Sequence, residues 1–229
     1  MSRDEKIKFL VLRTLGNFLL LMSLFGVVAT FGPALYYEVM YKVVQARGIE
    51  FKIDQNSIKT DTVSPGGLGM VLTGEKQQIL AVQNTEFSIL IPKIGANAKI
   101  LPNVDPDNKT EYLQKLQEGV AHAKGTVFPG LPGNIYLFAH SADSWWNVGR
   151  YNAAFYLIKE LKAGDEIVVY FENRRHNYVV TETAIGDSSE VSLLVNSRKD
   201  EERLILQTCW PPGTAWKRFF VIAKPADSI

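Results

Sequence analysis

One cysteine, three histidines and a small number of well-placed arginines are the groups in this chain most able to do covalent chemistry. The cysteine, Cys209, follows the run "LILQT" and precedes Trp-Pro-Pro-Gly, so it falls at the end of an apolar strand and the start of a stiff turn. A thiol becomes a nucleophile as its thiolate, which a neighbouring cation favours. Arg218 opens the next apolar run, "RFFVIAK", nine residues further on. If the two runs pair, Arg218 returns to the same end of the sheet, where its planar fork could orient a carbonyl or stabilise an oxyanion. The bland alternative is a buried cysteine acting as a small hydrophobe.

Acyl transfer through a thiol also needs a proton carrier. His140 closes the run "NIYLFA" and so sits at a strand end like Cys209. His122, in "GVAHAKGT", is expected in a loop after a helix, and His176, beside Arg174 and Arg175, at a solvent-facing hairpin start. Position alone ranks them in that order. It does not decide among them, because cysteine–histidine chemistry is defined by geometry and not by spacing.

Several short elements must position these groups. "FSILIPKIG", "GNIYLFAHS", "EIVVYF", "RRHNYVVTET", "RLILQT" and "RFFVIAK" read as strands, with "EN" turning a hairpin; "EVSLLV" reads as a strand or an apolar turn. Thr110–Gly119 and Tyr151–Leu161 read as short helices. Short strands with two small helices predict a mostly antiparallel β-barrel or sandwich. The compact part is expected over residues 86–229.

Ahead of it, Thr14–Tyr37 is a run of 24 residues without a charge, long enough to cross a bilayer as a helix. Tyr36 and Tyr37 suit the interface, and Arg3, Lys6, Lys8 and Arg13 outweigh Asp4 and Glu5 on the other side, which predicts a cytoplasmic N-terminus and an extracellular remainder. A cleaved signal peptide is the rival; the length of the span and the tyrosines favour an uncleaved anchor. Residues 1–13 are thus a cytoplasmic tail, 14–37 the anchor, and 38–85 a stalk or linker that includes a break at "VSPGGLG".

The formal net charge of +1 gives no reason to expect nucleic acid as a partner. A lone cysteine excludes an internal disulfide and a cysteine-rich zinc site. No metal or cofactor is expected. Asp105, Asp107, Asp187 and Glu190 are acidic enough to suggest a calcium loop, but their loose spacing suits solvated turns.

"FSILIPKIG", "GVAHAKGTVFPGLPGN", "NIYLFAHS" and "LILQTC" with "KRFFVIAK", in that order behind an N-terminal anchor, resemble the sortases, the membrane-anchored cysteine transpeptidases of bacterial surfaces. The resemblance covers about Glu86 to Lys224 and departs from the commoner pattern at Phe138–Ala139, where a glycine usually precedes the histidine. It implies a β-barrel of about eight strands with short helices. It implies Cys209 as nucleophile, His140 as general acid and base and Arg218 as the orienting and charge-stabilising group, and it demotes His122 to a structural role. Thr208, Trp210 and Trp145 are then expected to line the substrate cleft. The implied reaction cleaves a Leu-Pro-x-Thr-Gly-like sorting signal through a thioester and passes the acyl group to an amine of a cell-wall precursor or surface protein. With no apolar span after "VIAKPADSI", the wall-anchoring kinds fit better than the pilin-building kinds. A catalytically silent barrel that binds or assembles surface proteins, and a cysteine endopeptidase using water, are the alternatives.

Overall fold

The apolar runs near the C-terminus are continuous because both faces of their strands are covered. In a computed structural model describing residues 2–58, 77–82, 84–141, 155–187, 201–212 and 214–228, Leu204 and Leu206 turn inward while Ile205 between them packs outward with Tyr136, Phe220 and Ile222. Strands buried on two sides lose the in–out alternation of a half-exposed sheet.

The strands are β1 (Glu50–Ile58), β2 (Gln77–Val82), β3 (Phe87–Ile91), β4 (Ala96–Val104), β5 (Val120–Ala123), β6 (Gly133–Phe138), β7 (Glu166–Phe171), β8 (Arg174–Asp187), β9 (Glu202–Trp210) and β10 (Lys217–Pro225). The last eight close a barrel in the order β10-β8-β7-β3-β4-β5-β6-β9. Most neighbours run antiparallel, as the sequence predicts, but β4–β5 and β6–β9 are parallel. Every barrel strand contributes to one interior cluster, from Ile89 and Ile91 on β3 to Phe219, Val221 and Ala223 on β10. Closure leaves the barrel without a free edge.

The β7–β8 hairpin turns at Glu172 and Asn173, with φ of 48° and 63°, the two-residue geometry that matches strand twist. The Thr110–Gly119 helix is present as α2, Lys109–Leu116, with Asn108 accepting from the Glu111 N–H at its start. The expected helix at Tyr151–Leu161 is, over its described part, a 3-10 turn at Tyr156–Glu160. Phe155, Ile158 and Leu161 of this segment enter the interior cluster. "EVSLLV" and "VSPGGLG" lie outside the described residues.

The N-terminal helix α1 runs from Arg3 to Ala46, capped by Ser2 and Glu5 in reciprocal hydrogen bonds. Within its segment Arg3–Ala29 an 18-residue stretch has a mean hydropathy of 1.8 and no buried residues, so the helix is long and apolar enough to cross a membrane. With the barrel behind it, this helix supports a single-pass topology. Beyond it, β1 and β2 pair in parallel and lie against the outer face of β3 and β7, where Phe51 and Ile53 meet Leu80, Leu90, Val168 and Tyr170. Gly95 makes this approach possible: a Cβ there would stand 2.8 Å from the Phe51 ring.

Candidate active site

Alternation along β9 puts Leu204, Leu206 and Thr208 on the interior side and Ile205, Gln207 and Cys209 on the outer side. On β10, Phe219, Val221 and Ala223 point inward, so Arg218 shares the outer face with Phe220 and Ile222. The two strands pair with Arg218 directly opposite Cys209. Opposed residues of an antiparallel pair project to the same face about 5 Å apart at Cα. Cys209 and Arg218 thus leave the outer wall from opposed backbone positions at one end of the barrel. Both residues are half-buried.

The histidine-bearing chain arrives from the other flank of β9. Strand β6 runs parallel to it with Phe138 opposite Gln207. The pairing continues past the strand end: the Ala139 N–H donates to the Gln207 carbonyl at 3.2 Å, and the buried Thr208 hydroxyl donates to the Ala139 carbonyl at 3.1 Å. One backbone and one side-chain hydrogen bond therefore fix the chain at Ala139, and His140 follows at the level of Cys209. Thr208 makes this link from the interior side. The face that carries Cys209 is flanked by Arg218 on one side and by the His140 segment on the other.

Trp210, next along β9, alternates to the interior side and packs against Phe219 with ring centroids 5.5 Å apart. It remains half-buried at the rim. Trp145 lies outside the described residues.

Sequence reading missed a polar pair in the wall beneath the thiol. Tyr136 is only 2% exposed, and its hydroxyl donates to the Gln207 side-chain carbonyl. Burial pushes the Tyr136 phenol above its ordinary range, with the nearby Arg218 charge opposing. Tyr136, Gln207 and Arg218 so form a polar strip beside Cys209 within an otherwise apolar wall of Ala123, Phe138, Ile205 and Phe220. A signal for Gln207 was available: it is the polar side chain nearest before Cys209 that shares its strand parity. Its partner was not, because β6 and β9 pair across a long sequence separation.

His122 is in β5 and not in a loop as expected, and it is fully buried. Its Nδ1 accepts from the Asn103 N–H at 3.3 Å, so Nε2 carries the proton and donates to the Val127 carbonyl at 3.0 Å. The ring stacks on Phe128 at 4.6 Å. His176 is half-buried on β8. Burial pulls the His122 imidazole below its ordinary value, with the Val127 hydrogen bond opposing; His176 is lowered by burial too, with Glu202 opposing and Arg174 adding. A folded-state pKa below the unfolded one means that the unfolded chain binds more protons in acid. The stability contributed is complete above about pH 6.5 and is lost as pH falls towards the lowered folded value. Thermal unfolding midpoints should therefore fall between about pH 7.5 and about pH 5.5, and His122→Gln should flatten that fall. An unchanged slope in the variant would exclude His122 as a source.

Asp105, one of the acidic groups weighed for calcium, is occupied within its own turn. Its carboxylate accepts from the Asp107 N–H and pairs with Lys124 Nζ, each at 3.1 Å, and in that order these contacts hold it below the usual range. Among the described residues, no group of three or more His, Cys, Asp or Glu side chains is arranged to hold a metal ion.

Comparison with known proteins agrees with this fold. The family model "Sortase domain" matches residues 89–226. Sortase D of Bacillus subtilis (strain 168) is 30% identical over 137 residues, which span 58% of this chain and 60% of that protein. The match thus takes in less than two thirds of the relative's length. Sortase C-1 from Actinomyces oris superposes with a TM-score of 0.52 at 23% identity, over 61% of this chain and 71% of its own. Clostridium perfringens sortase C, in a crystal structure with the C-terminal cell wall sorting motif, gives 0.51 at 22% identity over 63% and 75%. These two structures share the barrel fold.

Proposed function

Because the chain belongs to the sortase family, we propose that it is a cysteine transpeptidase with Cys209 as nucleophile, His140 as proton carrier and Arg218 as the group that orients and stabilises the reacting carbonyl. The observation that carries the reading is the pairing of Cys209 with Arg218 across β9 and β10, one strand away from the chain leading to His140.

In this reaction the Cys209 thiolate attacks the threonine carbonyl carbon of a sorting signal of the Leu-Pro-x-Thr-Gly kind. A C–S bond forms, and the carbonyl electrons move to oxygen, facing the Arg218 donors. Collapse breaks the C–N bond, and the departing glycine amine takes a proton from His140. The thioester is then attacked by an acceptor amine, which gives its proton back to His140 as the C–S bond breaks. Tyr136 and Gln207 line the floor against which the signal lies, and Trp145 and Trp210 are proposed at its margins. The acceptor belongs to a cell-wall precursor or a surface protein, on the outer side of the membrane. Anchoring enzyme and substrate in one membrane raises their effective concentration without any new contact.

Incubating the protein with a sorting-signal peptide, with and without an amine acceptor, tests this reading. Mass spectrometry should show the acyl part joined to the acceptor. Release of the free acid alone in both reactions would assign a hydrolase, and no cleavage of any signal peptide in a library would assign the silent barrel.

A further inference from the structure

Strand directions around the barrel define which groups share the end that carries Cys209. Strands β3, β6, β8 and β9 finish there, and β4, β5, β7 and β10 begin there, because each antiparallel neighbour reverses and each parallel neighbour repeats the direction. The turn at Pro92–Ile94, which follows β3, and the segment Tyr156–Asp165, which leads into β7, therefore belong to the same rim as Cys209 and Arg218. A Lys93–Asp165 ion pair at 3.8 Å ties these two pieces together.

Helix α1 reaches this rim. Glu38 Oε2 accepts from Lys159 Nζ at 2.7 Å and from the Tyr156 hydroxyl at 3.4 Å. Lys159 is 16% exposed, pairs also with Glu160 at 3.5 Å, and stands 5.3 Å from the Tyr156 ring centre. Two turns further along, Val44 packs with Ile49, Met40, Val43 and Phe51, and Phe51 lies against Gly95 on the same rim. A half-buried ammonium with one short carboxylate partner is a fixed contact, unlike two exposed charges that meet in passing.

Glu38 is also the first charged residue after the uncharged run Thr14–Tyr37. It thus stands at or just above the headgroup layer.

We infer that the Glu38–Lys159–Tyr156 contact clamps the membrane helix to the catalytic rim, so that the end of the barrel carrying Cys209 is held at the lipid headgroup surface. The partner this surface fits is the membrane in which the helix is inserted. The placement builds on the proposed transpeptidase by selecting reactants tethered close to the bilayer, yet it stands or falls without any turnover.

The test uses the full chain in lipid nanodiscs. A dye is placed at Trp216→Cys in a Cys209→Ala background, since Trp216 is 75% exposed and precedes β10 on this rim. Energy transfer to acceptor dyes on the lipid headgroups reports the height of the rim. Strong transfer is expected for the parent, a loss for Glu38→Lys and for Lys159→Glu, and recovery in the double charge swap. Far-ultraviolet circular dichroism of Glu38→Lys should match the parent, as Glu38 lies outside the barrel. Equal transfer in the parent and in Glu38→Lys would overturn the clamp, and so would weak transfer in the parent. Failure of signal-peptide cleavage by the unmodified chain would count against the enzyme reading and leave the height measurement unaffected.

Discussion

Replacing Cys209 by alanine is expected to eliminate the acyl-enzyme adduct and to lower signal-peptide cleavage by about 10³-fold or more. The size of the effect follows from the chain having a single thiol: no other cysteine exists to take over the attack. The fold should survive. Cys209 is half-buried on the outer face, while the interior is filled by Leu204, Leu206 and the residues of the other strands, so removing one sulfur leaves the core intact. Intact-mass measurement after mixing with a signal peptide checks the adduct, and thermal unfolding checks the fold. An adduct that persists in Cys209→Ala would remove the thiol from the mechanism. Cys209→Ser is a sharper companion. It keeps the size and an attacking oxygen but loses the easily ionised sulfur, and it should be nearly as inactive.

Much of this arrangement was readable in the sequence, and the boundary of what was readable has physical causes. The hairpin β7–β8 and strands β9 and β10 announce themselves through β-rich runs bounded by turn residues. The membrane helix announces itself through length alone. Strand β4 does not: "ANAKILPNV" contains two asparagines, a lysine and a proline, and only its pairing with both β3 and β5 holds it extended. Strand β5 is four residues long and buried on both faces, so it shows no alternation, and its histidine gives it the look of a loop. The His122 ring is polar in sequence but satisfied in place, by the Asn103 amide and the Val127 carbonyl. The candidate site divides in the same way. Cys209 and Arg218 flank one short turn, so their return to one end could be anticipated from local pairing. The approach of the Ala139–His140 chain, and the Tyr136–Gln207 contact, depend on β6 lying parallel to β9 across nearly seventy residues of sequence. Such a pairing has no local signature; the family resemblance pointed to His140 but not to Tyr136 or its contact with Gln207.

Arg218→Lys should separate the two properties that an arginine brings to this position. Its charge is shared by lysine; its planar fork of donors is not. Among the described residues, both hydrogen bonds of Arg218 are made by Nη1, to the Ala215 carbonyl at 3.2 Å and the Lys217 carbonyl at 3.1 Å. These two bonds brace the guanidinium against its own loop; in the proposed reaction the Nη2 and Nε donors are the ones that would meet the carbonyl attacked by Cys209. A lysine ammonium can satisfy the same two carbonyls or reach the substrate, and without a rigid fork it cannot do both in a fixed geometry. Loss of one preorganised donor to a developing oxyanion costs about 10²–10³-fold in turnover. The fall for Arg218→Lys is therefore expected in kcat, with KM for the signal peptide changed little, since the charge that attracts the peptide remains. Unfolding midpoints should stay within about 4 °C of the parent, because the exchange lies on the outer face and disturbs no interior packing. A variant with near-normal kcat would reduce Arg218 to a surface charge beside the thiol. A fall confined to KM would make it a binding group for the peptide and leave the oxyanion to be stabilised by backbone donors at the end of β6 and β9.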